Sequence, residues 1–203
     1  MANANRPSGF KPHSYLNGAP WNGQARIYTI AAAYSAAALY VGDPVISAGS
    51  ADAQGRPTIA LGAATGAVRG VIVGLGTSSN MMGNPANVDI TYRPAAAQTK
   101  DWYAMVVDDP NVLFEVQEKS NTTQIAATEI GLNTISVVGT GNGFVSGWQV
   151  ASVTDATPAT TATLQLRLMG LIPRQDNEFG AYAKHLVKFN VHELGTGTGA
   201  AGV

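Results

Sequence analysis

The chain has 203 residues, enough for one domain with a substantial core. Twelve basic and thirteen acidic residues leave a formal net charge of −1, which excludes a global positive field able to hold a polyanion such as DNA. The absence of cysteine excludes disulfides, thiolate metal sites and a cysteine nucleophile. Charged residues make up 12% of the sequence, about half the usual share, so much of the surface is expected to be covered by copies of the chain or by another protein. No segment approaches the roughly 18 apolar residues of a membrane span, and the first residues are polar with no hydrophobic signal core. The expectation is a protein with no membrane partner and no export signal.

Residues 1–26 contain Pro7, Pro12 and Pro20 with Gly9, Gly18 and Gly23, a mixture that favours extended or turning backbone. This stretch reads as an extended N-terminal arm. It keeps Phe10, Tyr15, Leu16 and Trp21, rings and chains that a disordered tail would lack, so something is expected to cover them. The first acidic residue is Asp43. Residues 1–42 therefore carry only Arg6, Lys11 and Arg26, while the remainder holds nine basic against thirteen acidic residues. Arm and body are mildly complementary, and Phe10, Tyr15, Trp21 and Arg26 are the candidate interface residues for docking on a neighbouring subunit.

Residues 27–194 read as a β-rich body. Ile27 to Leu39 is alanine-rich, yet Tyr28, Ile30, Ala32 and Tyr34 alternate with small or polar residues and no cap precedes them, which favours two short strands over a helix. Val45–Ile46, Thr58–Leu61, Val68–Val73 and Val88–Tyr92 follow as strands between glycine-bearing loops. Trp102 to Glu118 reads as the organising hairpin: Tyr103 to Val107 is apolar on both faces, Phe114 and Val116 alternate with Glu115 and Gln117, and Asp109-Pro110-Asn111 supplies the turn. Residues 119–147 form a polar excursion or insertion with a helical turn at Thr128 to Gly131. Leu164, Leu166 and Leu168 alternate with Gln165 and Arg167, one face for the core and one for water, and Lys184 to Glu193 makes the last strand. Residues 195–203 read as a flexible tail. Strands at this spacing define an all-β antiparallel barrel or sandwich.

The sequence offers little reactive chemistry. Gly74 to Pro85 lacks the third glycine of a dinucleotide fingerprint, with Ser79 in its place, and lacks the lysine of a P-loop. Gly139 to Gly143 reads as a hairpin loop between Ile135 to Val138 and Phe144 to Val150. His185 and His192 are seven apart in one expected strand, on opposite faces, so they do not share a metal; His13 stands alone. Asp108-Asp109 and Asp176-Glu178 sit in turns where carboxylates solvate backbone, and no serine sits in a G-x-S-x-G elbow. Trp21, Trp102 and Trp148 read as core or interface anchors. No catalytic, cofactor or metal-ligating residue is assigned, and the expectation is a non-enzyme.

The basic, proline-bearing arm, the YVGDPV turn at Tyr40 to Val45, the DDPNVLFEVQ run at Asp108 to Gln117 and the closing segment Thr161 to Glu193 together resemble virion structural proteins of tailed bacteriophages. Within that group they most resemble capsid cement, or decoration, proteins. The resemblance implies a barrel or jelly-roll-like body on the capsid exterior, no cofactor, and two partners: the major capsid protein and the chain itself, as a homotrimer in preference to a homodimer. A cement protein works through many weak contacts repeated by symmetry. The alternative reading is a receptor- or glycan-binding module of a tail or fibre, whose signature would be exposed Tyr and Trp beside the loops at 74–85 and 139–147.

Overall fold

A computed structural model describes residues 3–78, 90–120, 122–138, 142–195 and 198–202. Two β layers share the chain. Strands β2 (Arg26–Ile30), β4 (Pro44–Ala51), β5 (Pro57–Leu61), β6 (Gly70–Gly76) and β8 (Trp102–Val107) close into a barrel in the order β2-β5-β4-β6-β8. Strands β1 (Lys11–Tyr15), β9 (Val112–Gln117), β10 (Asn133–Thr134), β13 (Leu166–Leu171) and β14 (Lys184–Phe189) form an antiparallel sheet in the order β1-β9-β14-β13-β10. Two small pairs complete the body: β3 (Leu39–Tyr40) with β7 (Tyr92–Arg93), and β11 (Ser136–Val137) with β12 (Gln149–Val150). The fold is all-β, as the strand spacing requires. The strand expected over Val88–Tyr92 begins outside the described residues; of its described part, 90–92, only Tyr92 is in a strand, β7, which runs on to Arg93.

Each layer has its own core. Tyr28, Ile30, Val45, Ile59, Ile72 and Val106 fill the barrel, while Phe10, Phe114, Trp148, Leu166, Leu168 and Phe189 lie beneath the sheet. The period-2 alternation of strands explains how one element serves both. Val71 and Val107 point out of the barrel into the sheet's core, whereas their neighbours Ile72 and Val106 point inward. That is why Tyr103 to Val107 is apolar on both faces.

The Trp102 to Glu118 reading needs one correction. Both strands exist, but they do not pair with each other: β8 lies between β2 and β6, and β9 between β1 and β14. The turn is real, with the Val112 N–H donating to the Asp109 carbonyl at 3.1 Å and the Asp109 side chain accepting from the Asn111 N–H at 2.8 Å. It carries the chain from barrel to sheet. Turn chemistry reverses the backbone locally but leaves partner choice to the strands, and each strand here has both edges taken.

Three further expectations change. Gln165, placed on the wet face, is fully buried, with its amide donating to the carbonyls of Ala63 and Gly66 and accepting from the Ser136 hydroxyl. The last strand ends at Phe189; His192 follows it as an isolated bridge to Val68, so the shared-strand argument about His185 and His192 does not apply. Residues 198–202 are tied down through their backbone. Asn133 donates to the Ala200 carbonyl at 2.8 Å, and the Gly202 N–H donates to the Thr160 carbonyl at 3.0 Å. Small side chains could not predict this, because the attachment uses peptide groups.

The described residues of 119–147 are woven into the body. They supply β10 and β11 and place Ile125 in the core, with a single 3-10 turn at Ala127–Glu129. Both outer edges of the five-stranded sheet are covered by the chain itself: Trp21 and Ala19 bond back along β1, and Ala159 exchanges two hydrogen bonds with Asn133.

Candidate interaction surface

The N-terminal segment is bound to the body of its own chain. Strand β1 pairs with β9, with Lys11 opposite Glu115 and Tyr15 opposite Val112. Phe10 is buried, edge-on to Phe114 at 6.4 Å between ring centroids and tilted against Phe189 at 5.0 Å. Burying a phenylalanine contributes about 2–3 kcal/mol, enough to fix the segment in place. Phe10, expected at an interface with a neighbouring subunit, is instead a core residue of its own chain. Entry of the segment needs a close backbone approach. Gly9, at φ +67°, donates its position so that the Phe10 N–H reaches the Gly42 carbonyl at 2.9 Å, and a Cβ at Gly9 would strike that carbonyl and Ser146.

Tyr15 and Arg26 line a groove beside the Asp109 turn, and Trp21 packs against the sheet core. After β1 the chain reverses through Tyr15 to Pro20, where the Tyr15 N–H donates to the Ala19 carbonyl at 2.8 Å and the Leu16 N–H to the Asn111 carbonyl at 2.8 Å. Tyr15 and Trp21 pack half-buried against the edge of the sheet core. The Tyr15 hydroxyl donates to Asn22 at 2.9 Å, and the Trp21 ring N–H to the Gln24 carbonyl at 3.3 Å. Tyr15, Arg26, Asp108, Pro110 and Leu194 line a groove of about 480 Å³, and Leu16 and Leu194 stand exposed nearby.

Beneath the groove runs a buried polar network. The Tyr28 hydroxyl donates to Asp108 at 2.6 Å and accepts from Arg69 at 2.9 Å, and Arg26 approaches Asp108 at 3.4 Å. Burial first, and then the bond to Asp108, raises the Tyr28 pKa above its usual 10.0. Arg69 also meets Glu193 at 3.7 Å, and Glu193 accepts from the Ser47 N–H at 2.9 Å. Close by, burial pushes the His192 pKa down to about 4, and its Nδ1 accepts from the Leu194 N–H at 3.0 Å. These groups stitch the end of the chain to the barrel.

The remaining candidates are separated. His13 is exposed beside Ser14, and His185 is buried with Nε2 2.9 Å from Glu118 Oε2. Among the described residues no three His, Asp or Glu side chains gather in a way that could hold a metal. Asp109 caps its own turn, and Asp176 meets Arg174 at 3.5 Å. Trp148 is core, as expected of an anchor, and Trp102 packs partly buried against the barrel core.

Three buried polar groups escaped the sequence reading. Glu118 joins His185 and also accepts from the Ile125 N–H at 2.7 Å. Arg93 is fully buried and donates to the carbonyls of Pro94, Ala31, Ala32 and Tyr34, with its guanidinium 5.3 Å from the Tyr34 ring centre. Asp43 accepts from the Tyr40 N–H at 2.8 Å, and burial raises its pKa to about 6. Parity could have found His185, since it shares a face with Val187 and Phe189. Arg93 had no such signal, because its acceptors are backbone carbonyls of a loop some sixty residues away.

Comparison of the chain with protein-family models, with curated proteins and with solved structures returns no match. The fold and surface define the class of an all-β protein with a self-docked N-terminal hairpin.

Proposed function

We propose that this chain is a structural cement, or decoration, protein of a tailed-phage head, binding the outer surface of the shell and stabilising contacts between major capsid protein subunits. The observation that carries the reading is the exposure of Val138 and Phe144, 63% and 67%, both in the connection from β11 to β12, in a chain with few charges. A large ring left in water at a loop favours burial against a partner surface. The carboxylates and cations that could have done chemistry are engaged in holding the body together, as in the Asp108, Glu118 and Arg93 networks. Low charge and small apolar contacts suit a role in which symmetry multiplies weak interactions.

Truncating residues 1–26 is a poor test, because it removes Phe10 from the core and β1 from the sheet. Point substitution separates the effects. Purified protein should bind empty expanded heads, and Phe144→Ser together with Val138→Ser should weaken that binding by at least tenfold while leaving the thermal melt unchanged. Equal binding by the double variant, or no binding by the parent, refutes the reading. A second reading, a glycan-binding tail component, is favoured by Tyr92, exposed and stacked on Tyr40 at 5.5 Å. Retention on a glycan array that is lost in Tyr92→Ala would select it.

A further inference from the structure

At the corner where the N-terminal segment crosses the sheet, a cleft of about 430 Å³ is lined by Asn5, Arg6, Lys11, Asn142, Ser146 and Lys184 among others. Three of these are cations in a chain of net charge −1. Lys184 meets Glu115 at 3.3 Å, and Glu115 is shared with Arg174 at 3.4 Å. Arg6 and Lys11 have no carboxylate within ion-pair distance among the described residues.

The amides in the cleft have a fixed polarity. Asn142 Oδ1 accepts from the N–H groups of Phe144 and Val145, each at 3.0 Å. Backbone N–H groups can only donate, so the oxygen faces the loop and Nδ2 is left to the cleft. The same logic runs through two side chains at Asn5. The Arg6 N–H donates to Gln117 Oε1 at 2.7 Å, so the Gln117 nitrogen is the group facing Asn5, and it donates to Asn5 Oδ1 at 3.0 Å. Asn5 Nδ2 is thereby the free end. Ser146 accepts from the Trp148 N–H at 3.2 Å and directs its hydroxyl to the buried Asp43. The charged and amide side chains of the cleft therefore offer a ligand mostly donors: the Arg6 guanidinium, the Lys11 ammonium, two amide nitrogens and a Lys184 ammonium shared with Glu115, beside the Ser8 hydroxyl. A donor-rich cleft suits an oxyanion better than a cation.

We infer that this cleft is a binding site for carboxylate side chains of an acidic protein segment. A carboxylate is favoured over a free inorganic anion because Phe144, exposed between the lining residues Asn142 and Val145, offers an apolar shelf that only a peptide could use. Assigning the segment to a shell protein rests on the proposed function; the carboxylate chemistry does not.

The test is a titration of the full chain with a six-residue glutamate peptide and, separately, with inorganic phosphate, followed by calorimetry and by amide shifts at low salt. The peptide should bind, shift the amides of residues 5–11 and 142–146, and weaken as salt rises. Asn142→Asp keeps the oxygen that accepts from Phe144 and Val145 but turns the cleft-facing donor into an anion. It should lower peptide affinity at least about tenfold with an unchanged melt, as should Lys11→Met. Peptide binding that is undiminished in both variants overturns the inference, as does tighter binding of phosphate than of peptide, or no binding at all. Because the titration contains no shell, it stands or falls apart from the cement reading.

Discussion

Replacing Asp43 and His192 one at a time should tilt the pH dependence of stability in opposite directions. Burial raises the Asp43 pKa from 3.8 to about 6 and lowers that of His192 from 6.5 to about 4. For Asp43 the folded chain keeps a proton between pH 3.8 and 6 that the unfolded chain has released, so its contribution falls as pH rises through that window. For His192 the unfolded chain takes up a proton between pH 6.5 and 4 that the folded chain refuses, so its contribution is present above 6.5 and lost as pH falls towards 4. At 1.36 kcal/mol per pH unit each effect is about 3 kcal/mol, and in the parent they offset one another. Asp43→Asn should therefore gain about 3 kcal/mol relative to the parent between pH 4 and 6. His192→Asn, which can still accept from the Leu194 N–H, should gain a similar amount relative to the parent as pH falls from 6.5 to 4. Urea unfolding at half-unit steps, read by tryptophan fluorescence, measures both. Difference curves that are flat for both variants, or that tilt the same way, refute the reasoning.

Other substitutions follow from the buried contacts. Arg93→Met strands four loop carbonyls and should cost at least ~3 kcal/mol in urea unfolding, and Arg93→Lys should recover little because one ammonium cannot span them. Glu118→Ala leaves His185 buried without its partner and should cost roughly 3–5 kcal/mol by thermal melting, whereas Glu118→Met combined with His185→Leu should restore much of it. Gly9→Ala forces a Cβ onto the Gly42 carbonyl at positive φ and should cost at least ~2 kcal/mol. Hydrogen exchange should then show the β1 amides opening before those of β14.

Much of the layer structure was legible because strands announce themselves through alternation. The two-faced apolar run at Tyr103 to Val107 and the core leucines 166 and 168 follow from it. Partner choice was not legible. Asp109-Pro110-Asn111 has the same turn chemistry whether its flanking strands pair or part, so a corner between two layers read as a hairpin. The arm misled for a related reason: prolines and glycines describe an irregular path, and only the tertiary fit at Gly9 and Gly42 shows that the path leads Phe10 into its own core. The donor-lined cleft lay beyond sequence altogether, since its polarity depends on which atom of each amide a distant N–H group has claimed.

Along the outer edge of β1 the Tyr15 and Trp21 N–H groups bond within the chain, and at β10 Asn133 exchanges two bonds with Ala159, so these stretches of peptide are already spoken for when another copy passes. Whatever meets them there must be recognised through side chains, which lets neighbours lock in register while leaving each fold separate.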